Sequence, residues 1–406
     1  MFLLKLAWRN IWRNRRRTFI TMASIVMAVV LSSVMSSMQQ GQYDQMIENS
    51  VGSFSGHIQI QAPDYFEEPM LDHSLEINEA LLSTITETPN VRAVIPRIDS
   101  YGLAGGIEKT RPALVVGIDW EQEKALSKPH EKITSGRYFN SNSENSTIIS
   151  EGLADYLELS VGDSLVLLSS GYRGVTAADL IPIVGIAKFG IPEMNKSLVY
   201  LPLNTAQQFY GATGRVTAIA ILSEQSKKTE ELTETLSSAL GNDYRVYDWP
   251  TLMPELVQAI QADRGSGYII LLVLYMVVGF GIFGTILMMT AERKFEFGVL
   301  IAIGTPKWSI SRMLMIEMFI ITTLASMVGI LLSIPVIYYF NTNPMEFTGQ
   351  AAAAIADYGM EPFIRFSTEP VILFIQAAII GAISLVISIY PLIHTKNLEP
   401  VEAMRA

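Results

Sequence analysis

The chain has 406 residues, half of them hydrophobic, with no cysteine and a net charge of −10. Lacking cysteine, it carries no disulfide, no thiol nucleophile, no cysteine metal site and no acylated cysteine. The charge is uneven: residues 40–266 hold 30 acids against 16 bases, whereas the first 17 residues hold six bases and no acid. The basic block Arg13 with Arg15–Arg17 abuts an apolar segment, which argues against nucleic acid as a partner.

In chain order, residues 1–17 read as an interfacial amphipathic helix. Leu4, Trp8 and Ile11 share one stripe and Lys5, Arg9, Arg13 and Arg16 another, as in a cationic helix lying on anionic headgroups. Topogenic charge alone accounts for the same residues. Four apolar segments follow, Thr18–Met38, Tyr268–Ala291, Met313–Phe340 and Val371–Ile393. Each exceeds 20 residues, and at about 1.5 Å per residue such a helix crosses a hydrocarbon layer of about 30 Å. They are assigned as spans 18–39, 267–291, 313–340 and 371–393. The first is about twice as long as a signal-peptide core and Ser33–Ser37 is a poor cleavage site, so it is read as retained.

Between the first two spans, residues 40–266 are long enough for a core of their own. His57–Gln61, a helix Leu75–Thr86, Val91–Ile95 and Pro112–Ile118 form one strand–helix–strand group. Val216–Leu222, a helix Lys227–Leu240 and Tyr244–Tyr247 form a second. This pattern predicts an α+β domain with helices on one face. Ser146–Ser150, Ser164–Leu168, Ile181–Ile186 and Leu198–Leu201 predict a β-rich insert at about 120–205. A helix Leu252–Ala262 is expected to lead straight into the second span, as a rigid link from the domain to the membrane.

The short flanks set the orientation. Bases gather before the first span, between the second and third (Arg293, Lys294, Lys307, Arg312) and after the fourth (Lys396, Arg405). The loop 341–370 holds only Arg365 among four acids. Both termini and the loop 292–312 are therefore expected in the cytoplasm, with 40–266 and 341–370 outside.

No Walker A, H-E-x-x-H or G-x-S-x-G sequence occurs, and His57, His73, His130 and His394 are scattered, so no catalytic and no metal-ligating residue is assigned. Gly279–Gly284 matches G-x-G-x-x-G but lies inside an apolar span. Its better reading is close packing at Gly281 and Thr285, with a similar small-residue seam at Ala377, Gly381, Ser384, Leu385 and Ser388, within one chain or between subunits. Glu317, the acid within an apolar segment, is expected to reach the interface or to pair with Arg312 or Lys307.

The loop 292–312 is the most specific stretch. Glu292 to Ile303 can form an amphipathic helix with Phe295, Val299 and Ala302 on one stripe and Glu292, Glu296 and Leu300 beside it. Gly304 suits its C-terminal cap and Pro306 stops it. Such a helix suits docking into a groove on a cytoplasmic partner.

The run Glu292-Arg293-Lys294-Phe295-Glu296-Phe297-Gly298-Val299-Leu300-Ile301-Ala302-Ile303-Gly304-Thr305 resembles the signature of FtsX-like, or MacB-type, ABC transporter permeases. The opening Leu6–Thr18 and the ending Pro400–Arg405 resemble that family's start and tail. Within it, Ser55–Ile60, Val116–Asp119, Ile133–Tyr138, Gly162-Asp163 and Tyr247–Trp249 are similar to lipoprotein-releasing (LolC/LolE-type) permeases.

The resemblance implies a non-catalytic subunit of the bacterial inner membrane. It would pair with a second permease copy or paralogue and with a LolD/MacB-type ATPase that holds ATP and Mg, binding no cofactor itself. Glu292, Arg293, Phe295, Glu296, Gly298, Val299, Leu300 and Gly304 would couple to that ATPase. A lipoprotein anchor would enter from the membrane lipid near Val30, Val34, Met38, Ile269, Leu272 and Met276. A loop about Ser169–Leu180, with Ser169, Tyr172 and Arg173, would contact a periplasmic carrier. MacB-type efflux of small molecules or peptides and FtsX-like regulation of cell-wall hydrolases are the alternatives.

Overall fold

Among the described residues four helices are long and apolar enough to cross a bilayer, Thr18–Ser50, Pro254–Glu292, Lys307–Thr342 and Pro370–Pro391, and the first three run well beyond the apolar segments that mark them. The computed structural model describes residues 2–13, 15–225, 228–350, 352 and 363–396. The tail resemblance at 400–405, and residues 351 and 353–362 of the loop 341–370, lie outside the described residues. By its internal contacts the chain divides into a helical unit (1–44, 259–345, 363–406) and an α+β unit (45–258, 346–362).

In the helical unit, Ile25, Ala28 and Val29 of the first span, Ile282 and Ile286 of the second, Met318, Ile321 and Ala325 of the third and Ile380 of the fourth form one buried cluster. The first and third spans touch at Gly329, where a Cβ would lie 2.7 Å from that of Val29. On the second span the packing glycine is Gly279, facing Ile383 of the fourth, whereas Gly281 has nothing within 4 Å of an added Cβ. Within this chain the seam expected at Gly281 and Thr285 is not packed, the contact lying about half a turn round the helix, and the Thr285 hydroxyl bonds back to the Gly281 carbonyl at 2.9 Å. The fourth-span seam packs within the chain: Ser384 is buried and bonded to Ile380 O, and Gly381 faces Thr322.

Buried polar groups in a membrane need partners. Gln376 of the fourth span donates to Ser36 Oγ of the first at 2.9 Å and accepts from the Tyr275 hydroxyl of the second. Just before the fourth span, Phe363–Glu369 is strapped to the bundle. Ser367 N donates to Ser37 O at 2.9 Å, Ser37 Oγ to Ser367 O at 2.5 Å, and Asn341 Nδ2 to Phe366 O at 2.7 Å. Gly41 admits this strap because a Cβ there would strike the Arg365 carbonyl. Gly41→Leu is expected to lower stability by about 1–3 kcal/mol, read as a lower midpoint of thermal unfolding in detergent.

The α+β unit is built on a ten-stranded sheet: β1 Ile58–Gln61, β2 Val91–Gly105, β3 Thr110–Ile118, β4 Ile133–Gly136, β5 Thr147–Ser150, β6 Ser164–Ser170, β7 Thr176–Ala187, β8 Leu198–Pro202, β9 Ala218–Ser223 and β10 Arg245–Asp248. Its order is β10-β1-β9-β2-β3-β8-β5-β7-β4, with β6 bridging β2 and β7. The segment 120–205 therefore extends the same sheet instead of standing as a separate layer. Ile149, Leu153 and Leu165 share a core with Ile58, Ile85 and Leu236. The helix expected at Leu75–Thr86 starts at Glu79, because Asn78 caps it by accepting from Leu81 N at 2.7 Å; Leu75–Glu76 pairs as a short strand with Arg215–Val216.

Beneath the sheet Arg97 and Glu123, both fully buried, form a two-pronged ion pair. Arg97 also donates to the Phe54 carbonyl, and Ser127 to Glu123. Next to it Asp99 Oδ1 has no hydrogen-bond partner among the described residues. Burial pushes its carboxyl up to about 6 despite the opposing pull of Arg97. Since this folded-state value lies above the unfolded one, the group favours folding when protonated and loses that contribution as pH rises from about 4 to about 6. Asp99→Asn should flatten this segment of the stability-versus-pH curve, measured by thermal unfolding between those limits.

Candidate functional site

The loop between the second and third spans is folded by local rules. The second span ends at Glu292, Arg293 leaves helical geometry, and a new helix runs Lys294–Ala302. Gly304 sits at φ 96°, a conformation costly for any residue with a Cβ. Its N–H donates to Ile301 O at 3.0 Å and that of Thr305 to Leu300 O at 2.9 Å, a Schellman stop. Pro306 then opens the third span at Lys307.

One face of the loop helix is anchored: Phe297 is buried against Ile310 and Leu314, with Leu300 and Ile301 packed around it. The opposite face is bare. Phe295, Val299 and Ile303, spaced four apart, are 56%, 37% and 74% exposed. Trp308, just past the helix stop, is also exposed, its ring covered on one side by the Arg312 guanidinium at 5.1 Å.

The base of the helix is locked. Arg293 and Glu317 are each 2% exposed and joined by bonds of 2.9 and 3.2 Å to the two carboxylate oxygens. The sequence pointed to Arg312 or Lys307 as the partner of Glu317. Arg293 takes that place because the chain reverses between the spans and brings residue 293 beside Glu317, about three turns into the third helix. A buried pair of this kind is strongly destabilising when one half is removed, by about 3–5 kcal/mol, whereas an exposed pair contributes about 0.2–1 kcal/mol. The exposed one here, Arg13 to Glu296 at 2.6 Å, joins the amino-terminal helix Phe2–Arg13 to the loop helix.

Of the expected coupling residues, Phe295 and Val299 lie on the bare face, and Glu296 beside them pairs with Arg13. Arg293 and Gly298 are buried, Leu300 turns to the anchored side, Gly304 ends the helix and Glu292 closes the preceding one. Ile303, also on the bare face, is not among the expected residues. The i, i+4 step from Val299 to Ile303 was the signal, passed over in favour of Ala302.

The expected acyl path is not assembled by these spans. Val34 and Met38 pack on Ile337, Phe366 and Leu373, while Leu272 and Met276 line a hollow of about 510 Å³ with Ile383 and Ile387 of the fourth span. The face that the first span turns to Tyr268 and Leu271 carries Ser36, Gln39 and Tyr43 instead, about half a turn away from Val34. Val30 is half-buried and Ile269 exposed.

The expected carrier loop is a pinned hairpin turn. Ser169 Oγ bonds Tyr101 O at 2.7 Å, Tyr172 N bonds Tyr210 O at 2.8 Å, and Arg173, at φ 55°, donates its N–H to Asp72. Tyr172 lies under Arg215 and Arg173, so no hook projects. The neighbouring strands do carry an open apolar face: Tyr101 and Leu103 of β2, Val166 and Leu168 of β6 and Leu180 of β7, side by side by register and all exposed.

Residues 18–239 match the MacB-like periplasmic core domain and residues 268–400 the FtsX-like permease C-terminal region. The lipoprotein-releasing system transmembrane protein LolC of Neisseria meningitidis serogroup B is 22% identical over 320 residues, covering 75% of this chain and 74% of that protein. The macrolide export ATP-binding/permease protein MacB of Bartonella quintana is 22% identical over 346 residues, 80% of this chain but only 50% of that protein. Among solved structures, the periplasmic region of MacB from Actinobacillus actinomycetemcomitans aligns with 52% of this chain and 97% of its own, at 16% identity and a TM-score of 0.37.

Proposed function

The chain belongs to the FtsX-like ABC-transporter permeases with a MacB-like periplasmic core domain, and from that premise we propose that it transmits the work of a separate ATPase to lipid-modified proteins at the outer face of a bacterial inner membrane. The observation that carries the coupling half is the bare stripe Phe295, Val299 and Ile303 on a helix fixed from beneath by Arg293–Glu317. An apolar stripe at this spacing is what a groove on a globular partner receives. The basic flanks support a cytoplasmic position for that helix, where ATP is supplied, with the α+β unit on the other side.

The cargo half rests on the match to LolC, which extends over about three-quarters of both proteins. The open apolar face of β2, β6 and β7 is the surface on this chain best suited to an acylated protein or its carrier. Two permeases and two ATPases would form the working assembly. The test is depletion in the host, followed by membrane fractionation of tagged lipoproteins. They are expected to accumulate in the inner membrane. Normal sorting combined with loss of macrolide or peptide export would replace the cargo with that of the MacB type, and loss of cell-wall hydrolase activity alone would replace transport with regulation.

A further inference from the structure

At the basic end of the bundle a hollow of about 650 Å³ opens between the amino-terminal helix and the third and fourth spans, lined by Trp8, Met315, Ile316, Phe319, Ile320 and Leu385. Every one of these side chains is apolar or aromatic. The hollow arises from how the amino-terminal helix seats itself. Ala7 and Ile11 are buried, and Asn10 Nδ2 reaches Met313 Sδ at 3.7 Å, so the helix rests on the third span through small and branched residues while the Trp8 indole overhangs the gap. The stripe that the sequence reading turned to headgroups is therefore partly spent on the bundle, and the two tryptophans remain half-exposed at its rim.

Beyond the hollow, the polarity changes in a fixed order. Trp8 meets Trp12 edge-on at 6.1 Å, and the Arg15 guanidinium lies over the Trp12 ring at 5.7 Å, held there by its Nε donating to Trp12 O at 3.2 Å. Arg9, beside Trp8, is exposed, and neither arginine has a carboxylate partner among the described residues. An apolar slot, an indole rim and then unpaired guanidinium groups repeat the sequence of acyl chain, ester level and phosphate in a phospholipid. With six bases and no acid in the first 17 residues, the charge selects an anionic one.

We propose that this hollow is a binding site for one acyl chain of an anionic phospholipid, whose phosphate is held by Arg15 and Arg9. The lipid is a resident ligand and not cargo. It would brace the amino-terminal helix, which through Arg13 and Glu296 touches the loop helix.

The test uses the full chain purified in detergent and native mass spectrometry with phosphatidylglycerol and phosphatidylcholine of matched acyl chains. Phosphatidylglycerol should be retained about tenfold better, as two arginines near a phosphate imply. Arg15→Gln, on an exposed side chain, should reduce that preference to about threefold, and Arg9→Gln made with it should bring retention to the phosphatidylcholine level. Leu385→Trp, which fills the hollow, should remove bound lipid of both kinds, while Val273→Trp on an exposed face of the second span leaves retention unchanged. Equal retention of the two lipids, or undiminished phosphatidylglycerol in Arg15→Gln, overturns the site. Unchanged retention in a Leu385→Trp protein with wild-type melting overturns its location.

Discussion

Arg293→Met is expected to cost about 3–5 kcal/mol of stability and to abolish stimulation of the partner ATPase, because it strands the Glu317 carboxylate where it is 2% exposed. The loss has two parts that can be separated. Removing the charge leaves an uncompensated buried anion, and removing the contact frees the junction between the second span and the loop helix. Glu317→Leu should be as damaging from the other side. The double replacement, Arg293→Met with Glu317→Leu, puts apolar volume in place of both charges and should recover most of the melting temperature, since an ion pair taken out of water gains little over well-packed apolar groups. If the pair matters to coupling by fixing the helix, the double variant will be stable yet only partly stimulated. Thermal unfolding in detergent and the ATPase rate of the reconstituted complex give the two readouts. A single variant that melts like the parent would remove the pair from this role.

Val299→Asp should have the opposite profile. Val299 is exposed, so a carboxylate there costs the isolated chain little, but it would be forced into the partner groove proposed for the stripe. Burying an unpaired charge at a contact centre costs at least about 2 kcal/mol, or more than tenfold in affinity. The expected result is normal membrane insertion and melting with loss of ATPase co-purification, and Ile303→Asp should behave alike. Leu300→Asp is the contrast: it faces Phe297 and Ile310, and should lower the melting temperature first. Were Val299→Asp to stimulate normally while Leu300→Asp did not, the docking face would be the anchored one, and the assignment of sides would be reversed.

Hydropathy reads the four spans easily because a bilayer imposes length and apolarity together, and the loop helix was legible because its stop is written locally in Gly304 and Pro306. What escaped depends on rotation and on pairing across the chain. A glycine in an apolar run marks close packing without saying which face packs, and within this chain it is Gly279 rather than Gly281 that makes the contact. Val34 and Met38 were assigned to lipid because every residue of such a segment suits lipid; only the strap around Phe366 and Ile364 shows what covers them. The partner of Glu317 lay 24 positions away, across a reversal that periodicity does not describe. In the α+β unit most of the strands were found, though Ile133–Gly136 was not and Leu75–Glu76 was read as helix, and two-residue alternation carries no strand order, so the joining of 120–205 to one sheet was not visible.

The meeting of Val29 and Gly329 has an outcome for how this pair of positions can vary. A hydrogen atom is all that the third helix presents there, and a methyl group would overlap the valine. Residues 29 and 329 are consequently one volume shared by two codons: Gly329→Ala alone should weaken the bundle, and Val29→Ala made with it should restore the fit. Families of related chains should trade size between these two places while keeping the total constant.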